Sequence, residues 1–72
     1  MNTDIHELDV VALTADLPGN GLARGQVGTV VHQHSAEAFE VEFVDQEGRT
    51  YALLTLRYDQ LLRLQFDPAT AA

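Results

Sequence analysis

The sequence predicts an all-β fold, five short strands behind one long first loop. Three observations lead there. The apolar residues fall in short β-branched or aromatic runs, and the run Phe39-Glu-Val-Glu-Phe-Val44 alternates cleanly, with Phe39, Val41 and Phe43 on one face and Glu40 and Glu42 on the other. Clusters of turn formers separate the runs: Pro18-Gly19, Asn20-Gly21 and Asp45-Gln-Glu-Gly48. With 72 residues divided in this way, no room is left for a long helix. A chain this short buries only ~60% of the surface its unfolded form exposes, so its core is thin.

Residues 1–8 read as a lead-in, polar apart from Met1, Ile5 and Leu8, that frays. The domain proper is expected over residues 9–66, with 67–72 as a flexible tail. Strand one is the β-branched and apolar run Asp9 to Ala15. The loop Asp16 to Gly25 follows, and Leu17 and Leu22 inside it imply that it folds back and tucks two side chains beneath itself. The stretch Leu22 to Val31 organises the rest, because Gly25 and Gly28 flank the start of a β-branched run and mark a loop turning sharply into a strand. Strand two is Gln26 to His34, Ser35 to Ala38 connects, and strand three is Phe39 to Val44. Asp45 to Gly48 reads as a type I turn closing on a left-handed glycine, a tight hairpin. Strand four is Arg49 to Leu56, Arg57 to Gln60 forms one helical turn, and Leu61 to Phe66 is the last strand. This is the connectivity of an SH3-like barrel, whose closure would protect the strand edges.

Charge is the clearest compositional signal: 11 acids against four arginines and no lysine, formally −7. A phosphate backbone is held by clustered Lys and Arg, so nucleic acid is an unfavoured partner and a basic protein a better one. The acidic partner surface expected is Glu37, Glu40, Glu42, Asp45 and Glu47. Without cysteine there is neither a disulfide nor a thiolate metal site, which fits a reducing compartment. Met1 to Val11 shows no basic start followed by an apolar h-region, and no run approaches the length of a membrane span, so a cytoplasmic, membrane-free setting is expected.

Strand four departs from the pattern. Tyr51 and Leu53 make one face apolar, and Ala52, Leu54 and Leu56 the other, whereas a sheet with one wet face should alternate. Either the Asp16–Gly25 loop or the terminal segments cover the second face, or another subunit does. A thin core gains from burying apolar area between chains, so a homo-oligomer with these five residues at its interface is the favoured expectation.

His32 and His34 share a face of strand two. Val27, Thr29 and Val31 make the better inward row, which turns the histidines outward, opposite Glu40 and Glu42. Such a cluster is an ordinary polar sheet face, and no metal or cofactor is assigned to it. No catalytic residue is assigned either, so a non-enzymatic protein is expected. Ser35 has no base tied to it by spacing, nothing in an exposed strand perturbs Glu40 or Glu42, and Asp9 and Asp59 fit no acid–base pattern. The glycines lack the Gly-Lys-Ser/Thr of a phosphate loop. Arg49 is expected to pair locally with Asp45 and Glu47, leaving Arg24 at the corner of the loop, and Tyr51 and Tyr58 serve as core or interface filler.

The segments Asp9-Val-Val-Ala-Leu-Thr, Leu17-Pro-Gly, Gly21-Leu, Arg24-Gly-Gln-Val-Gly-Thr-Val-Val31, Phe39 to Asp45 and Gly48 to Leu56 together resemble a family of short, stand-alone bacterial proteins catalogued as a domain of unknown function. The resemblance covers Glu7 to Leu64. It implies an SH3-like barrel acting as a small accessory partner, in two-gene pairs of the toxin–antitoxin kind, and brings no site residues. Arg24 to Val31 is also distantly similar to the KOW segment of ribosomal and transcription-factor barrels, a glycine-containing loop leading into a strand. Gln26 and Thr29 stand where that segment carries cations. The function expected is therefore a self-associating protein-interaction module; the alternatives are a KOW-like barrel touching RNA through Arg24 and Arg49, or a metal-binding accessory protein using His32 and His34.

Overall fold

The computed structural model describes residues 5–65. Its strands are β1 (Val10–Leu13), β2 (Val27–Gln33), β3 (Ala38–Val44), β4 (Thr50–Arg57) and β5 (Leu61–Arg63). Two 3-10 turns complete it, Pro18–Asn20 in the first loop and Tyr58–Gln60 between β4 and β5. The fold is all-β, as the sequence predicts, and the expected helical turn before the last strand is present.

All pairings are antiparallel and the sheet order is β4-β3-β2-β1-β5. The sheet is not a closed barrel, which corrects the expectation of closure. β4 is held by β3 and the three-residue β5 by β1, so the two strands stand at opposite edges. Strand ends also differ from the sequence reading. β1 ends as a regular strand at Leu13, although Thr14 N–H still donates to Gln60 O at 2.9 Å in the register of the β1–β5 pairing, and its hydroxyl donates to Asp59 O at 3.0 Å. β5 stops at Arg63; Phe66 and the tail 67–72 lie outside the described residues.

The core collects Val11 and Leu13 from β1, Val30 from β2, Phe39, Val41 and Phe43 from β3, Leu56 from β4 and Leu61 from β5. Leu22 joins it from the first loop at 4% exposure, with Leu17 packed alongside. The loop therefore folds back as its two leucines imply. Leu17 and Leu22 bridge each other, Asp16 Oδ1 accepts from Arg24 N–H at 2.9 Å, and Gln26 Oε1 accepts from Ala23 N–H. The lead-in corrects an expectation too. Ile5 is 5% exposed in the core, and Leu8 N–H donates to Val30 O at 2.7 Å, so residues 5–8 belong to the packed domain. Apolar burial holds this segment down where its polar composition predicts fraying.

The β3–β4 hairpin turns as predicted. Gly48 N–H donates to Asp45 O at 3.0 Å with Gly48 at φ +82°, and Asp45 Oδ1 accepts from the N–H groups of Glu47 and Arg49. Gly48→Ala meets open space but a left-handed backbone. It should lower the urea-unfolding free energy by about 1 kcal/mol, the penalty of an L side chain in that region.

β2 holds the one surprise of register. Val30 is fully buried and Gly28 lies inward, while Val27 and Val31 are exposed, so the row expected to face inward faces out. The histidines nevertheless point outward. Val30 opposes Val41 but His32 opposes Glu40, which leaves Val31 as the extra residue of a β-bulge. One extra residue inverts the parity of everything after it.

Candidate functional site

No polar or charged side chain is buried among the described residues, so the groups able to meet a partner lie on the outer face of β2–β3–β4 and along the sheet edges. The register builds that face in rows. Thr29, Glu42 and Leu53 form one; His32, Glu40 and Thr55 form the next. Exposed apolar residues stand in and around them: Val27, Val31, Val44 and Leu53, the last at 53% exposure.

The five acids expected to form a partner surface lie along β3 and its two bounding turns. Glu40 and Glu42 occupy the middle, Asp45 and Glu47 the hairpin, and Glu37 the opposite turn. Glu40 Oε1 accepts from His34 Nε2 at 2.9 Å, and Glu42 accepts a hydrogen bond from the Thr50 hydroxyl. A carboxylate only accepts, so Nε2 of His34 carries the proton. Asp45 and Glu47 pair with Arg49 at 3.4 and 3.5 Å. Glu7, from the lead-in, reaches over β2 to lie 3.4 Å from His32 Nδ1. The two imidazoles meet edge to face with centroids 4.7 Å apart. These contacts link His32, His34, Glu7 and Glu40 into a polar cluster, but among the described residues no set of three or more His or acidic side chains has the geometry of a metal site.

The two-sided apolar strand resolves once β4 is placed. Ala52, Leu54 and Leu56 oppose Phe43, Val41 and Phe39 and pack on the domain's own core, Leu56 fully and the other two in part. Of the five residues expected at a subunit interface, only Leu53 and Tyr51 are exposed. Tyr51 occupies a second bulge, its ring 6.2 Å from Phe43 and its hydroxyl accepting from Gln26 Nε2 at 3.0 Å. Tyr58 packs on the core.

Cations are few and mostly engaged. Arg49 pairs with Asp45 and Glu47, Arg57 with Asp59 at 3.1 Å and Arg63 with Asp9 at 3.2 Å. Arg24 has no carboxylate partner among the described residues. No basic patch forms among the described residues, and Arg49 lies 3.4 Å from Asp45 and 3.5 Å from Glu47 on its own hairpin, 76% exposed.

Two features escaped the sequence. Val44 could have been found, since it continues the outward row of Glu40 and Glu42. The open edge of β4 could not, because a closed barrel has none. Among the described residues no helix is long and apolar enough to cross a membrane.

Compared with known proteins, residues 7–63 match the model of a family described as a domain of unknown function, DUF4926. No curated protein and no solved structure matches the chain.

Proposed function

The chain belongs to the DUF4926 family, and from that premise we propose a non-enzymatic, cytoplasmic protein-interaction module that self-associates and offers its acidic outer face to a basic protein partner. The observation that carries this reading is the imbalance of charge on that face. Eleven acids stand against four arginines, a formal net charge of −7, and Arg49, Arg57 and Arg63 are each already held beside a carboxylate rather than near Glu40 or Glu42. Glu40 and Glu42 stand beside exposed Leu53 and Val44, a mixture of acid and apolar surface suited to a basic, partly apolar patch.

A pull-down with the wild-type chain and a Glu40→Gln, Glu42→Gln double variant, each at low and at high salt, tests it. Glutamine keeps the size and the accepting oxygen while removing the charge. A basic protein should be held by the wild type at low salt, released at high salt, and held by the double variant about tenfold more weakly. A partner indifferent both to salt and to the substitutions would overturn the reading.

A further inference from the structure

We propose that two copies of this chain join edge to edge through β4, antiparallel, with Leu54 of one copy opposite the partner's Leu54 across a two-fold axis, so that the two sheets become one. This deepens the self-association part of the proposed function and rests on it.

In an antiparallel pair, alternate residues aim both backbone groups at the same neighbour. Tyr58 N–H donates to Glu37 O at 2.9 Å, which marks these two as a bonded pair. Stepping by two along the register gives Leu56–Phe39, Leu54–Val41 and Ala52–Phe43 the bonds between β4 and β3. Leu53 and Thr55 therefore turn their N–H and C=O groups to the open side, and among the described residues nothing bonds them there. The row is closed at both ends. Arg57 N–H is already taken by Gln60 Oε1 at 2.8 Å, and the bulge at Tyr51 breaks the ladder beyond Ala52.

The open edge thus offers four backbone groups, and a second copy satisfies all of them. With Leu54 on the axis, Leu53 lies opposite the partner's Thr55, each donating and each accepting, and symmetry repeats the pair. Moving the axis to Thr55 would set Leu53 against an Arg57 whose N–H is occupied. Moving it to Leu53 would set Thr55 against the Tyr51 bulge. Side chains agree with the Leu54 axis. Ala52 and Leu54 are the half-buried members of the core that sit on this edge strand, and the axis lays the partner's Leu56 beside Ala52 and its Leu54 beside Leu54. Natural edges are guarded by Lys, Pro or charge; Ala52 to Leu56 has none of these. The edge at β5 is blunted by being three residues long.

The wild type lacks cysteine, so Leu54→Cys introduces a single thiol. Residues of a non-hydrogen-bonded pair lie ~4.5 Å apart at Cα, within reach of a disulfide. Two copies of Leu53→Cys would instead be diagonal neighbours at ~7–8 Å, beyond that reach. On mild oxidation Leu54→Cys should give a covalent dimer and Leu53→Cys several-fold less. By light scattering the wild-type mass should fall from dimer to monomer on dilution. Added salt should favour the dimer, because each copy is strongly acidic and screening removes their repulsion. Thr55→Pro deletes one edge-facing N–H and none that bonds β3, and should weaken self-association at least tenfold; if circular dichroism shows this variant unfolded, the cysteine pair decides. A monomer at every concentration and salt overturns the proposal, and leaves the basic-partner reading to its own salt-weakened pull-down. A dimer in which Leu53→Cys cross-links as well as Leu54→Cys, or neither does, overturns the register while self-association stands.

Discussion

Phe39→Ala should leave the domain unfolded at room temperature. Phe39 is fully buried and lies opposite Leu56 on β4 and Gln33 on β2, so its ring closes the core where the ends of β2 and β4 meet the start of β3. Truncating a buried phenylalanine costs about 3–5 kcal/mol through lost transfer energy and the cavity left behind. A core of this size rarely supplies more than about 3–5 kcal/mol in all. The one cost consumes the other. Circular dichroism should show a coil-like chain without denaturant, whereas Phe39→Leu, which keeps most of the volume, should retain a cooperative urea transition with a loss of about 1–2 kcal/mol. A cooperative native-like transition in the alanine variant would mean that the core tolerates a void the packing does not suggest.

Gly28→Ala should destabilise by about 1–3 kcal/mol, against the usual gain from replacing a strand glycine. A Cβ there would stand 2.7 Å from Val41 Cγ1, 2.9 Å from Phe43 Cδ1 and 2.9 Å from the backbone oxygen of Glu42. The two side chains can shift, but the oxygen cannot move without opening the β2–β3 ladder. Gly19 provides the comparison: it meets nothing within 4 Å and needs no left-handed backbone, so Gly19→Ala should be neutral or slightly stabilising. Paired urea midpoints, lower for Gly28→Ala and unchanged or higher for Gly19→Ala, would separate a steric cause from a general intolerance of substitution.

Gly28 also shows where sequence pattern stops informing. Alternation reports a face only through side chains, and an inward position occupied by glycine carries no apolar signal. Val27, Thr29 and Val31 therefore looked like the buried row. The bulge at Val31 then restored the histidines to the outer face, so the expected orientation of His32 and His34 was reached by a row assigned the wrong way round. β3 was legible because its alternation is unbroken from Phe39 to Phe43. The first loop was legible because two leucines in a turn-rich stretch need somewhere to go. On β4 the two-sided apolarity was real, but its cause is a half-covered edge strand: Ala52, Leu54 and Leu56 look inward to their own core, and Leu53 outward. Ile5 gave too little signal, a single apolar residue among polar neighbours. Strand closure was beyond reach of pattern altogether, since it depends on how far a three-residue β5 can extend.

The pairing of β1 with β5 has a consequence in time. β2, β3 and β4 follow one another and can zip as successive hairpins with short loops to close. β1 finds only one of its neighbours in that meander; the other, through Val11 and Arg63, comes from the far end of the domain. During synthesis β1 can pair with β2 early, but its other edge stays open until the last strand has left the ribosome, and until then Val11 and Leu13 have no Leu61 to pack against. The molecule finishes folding where it began.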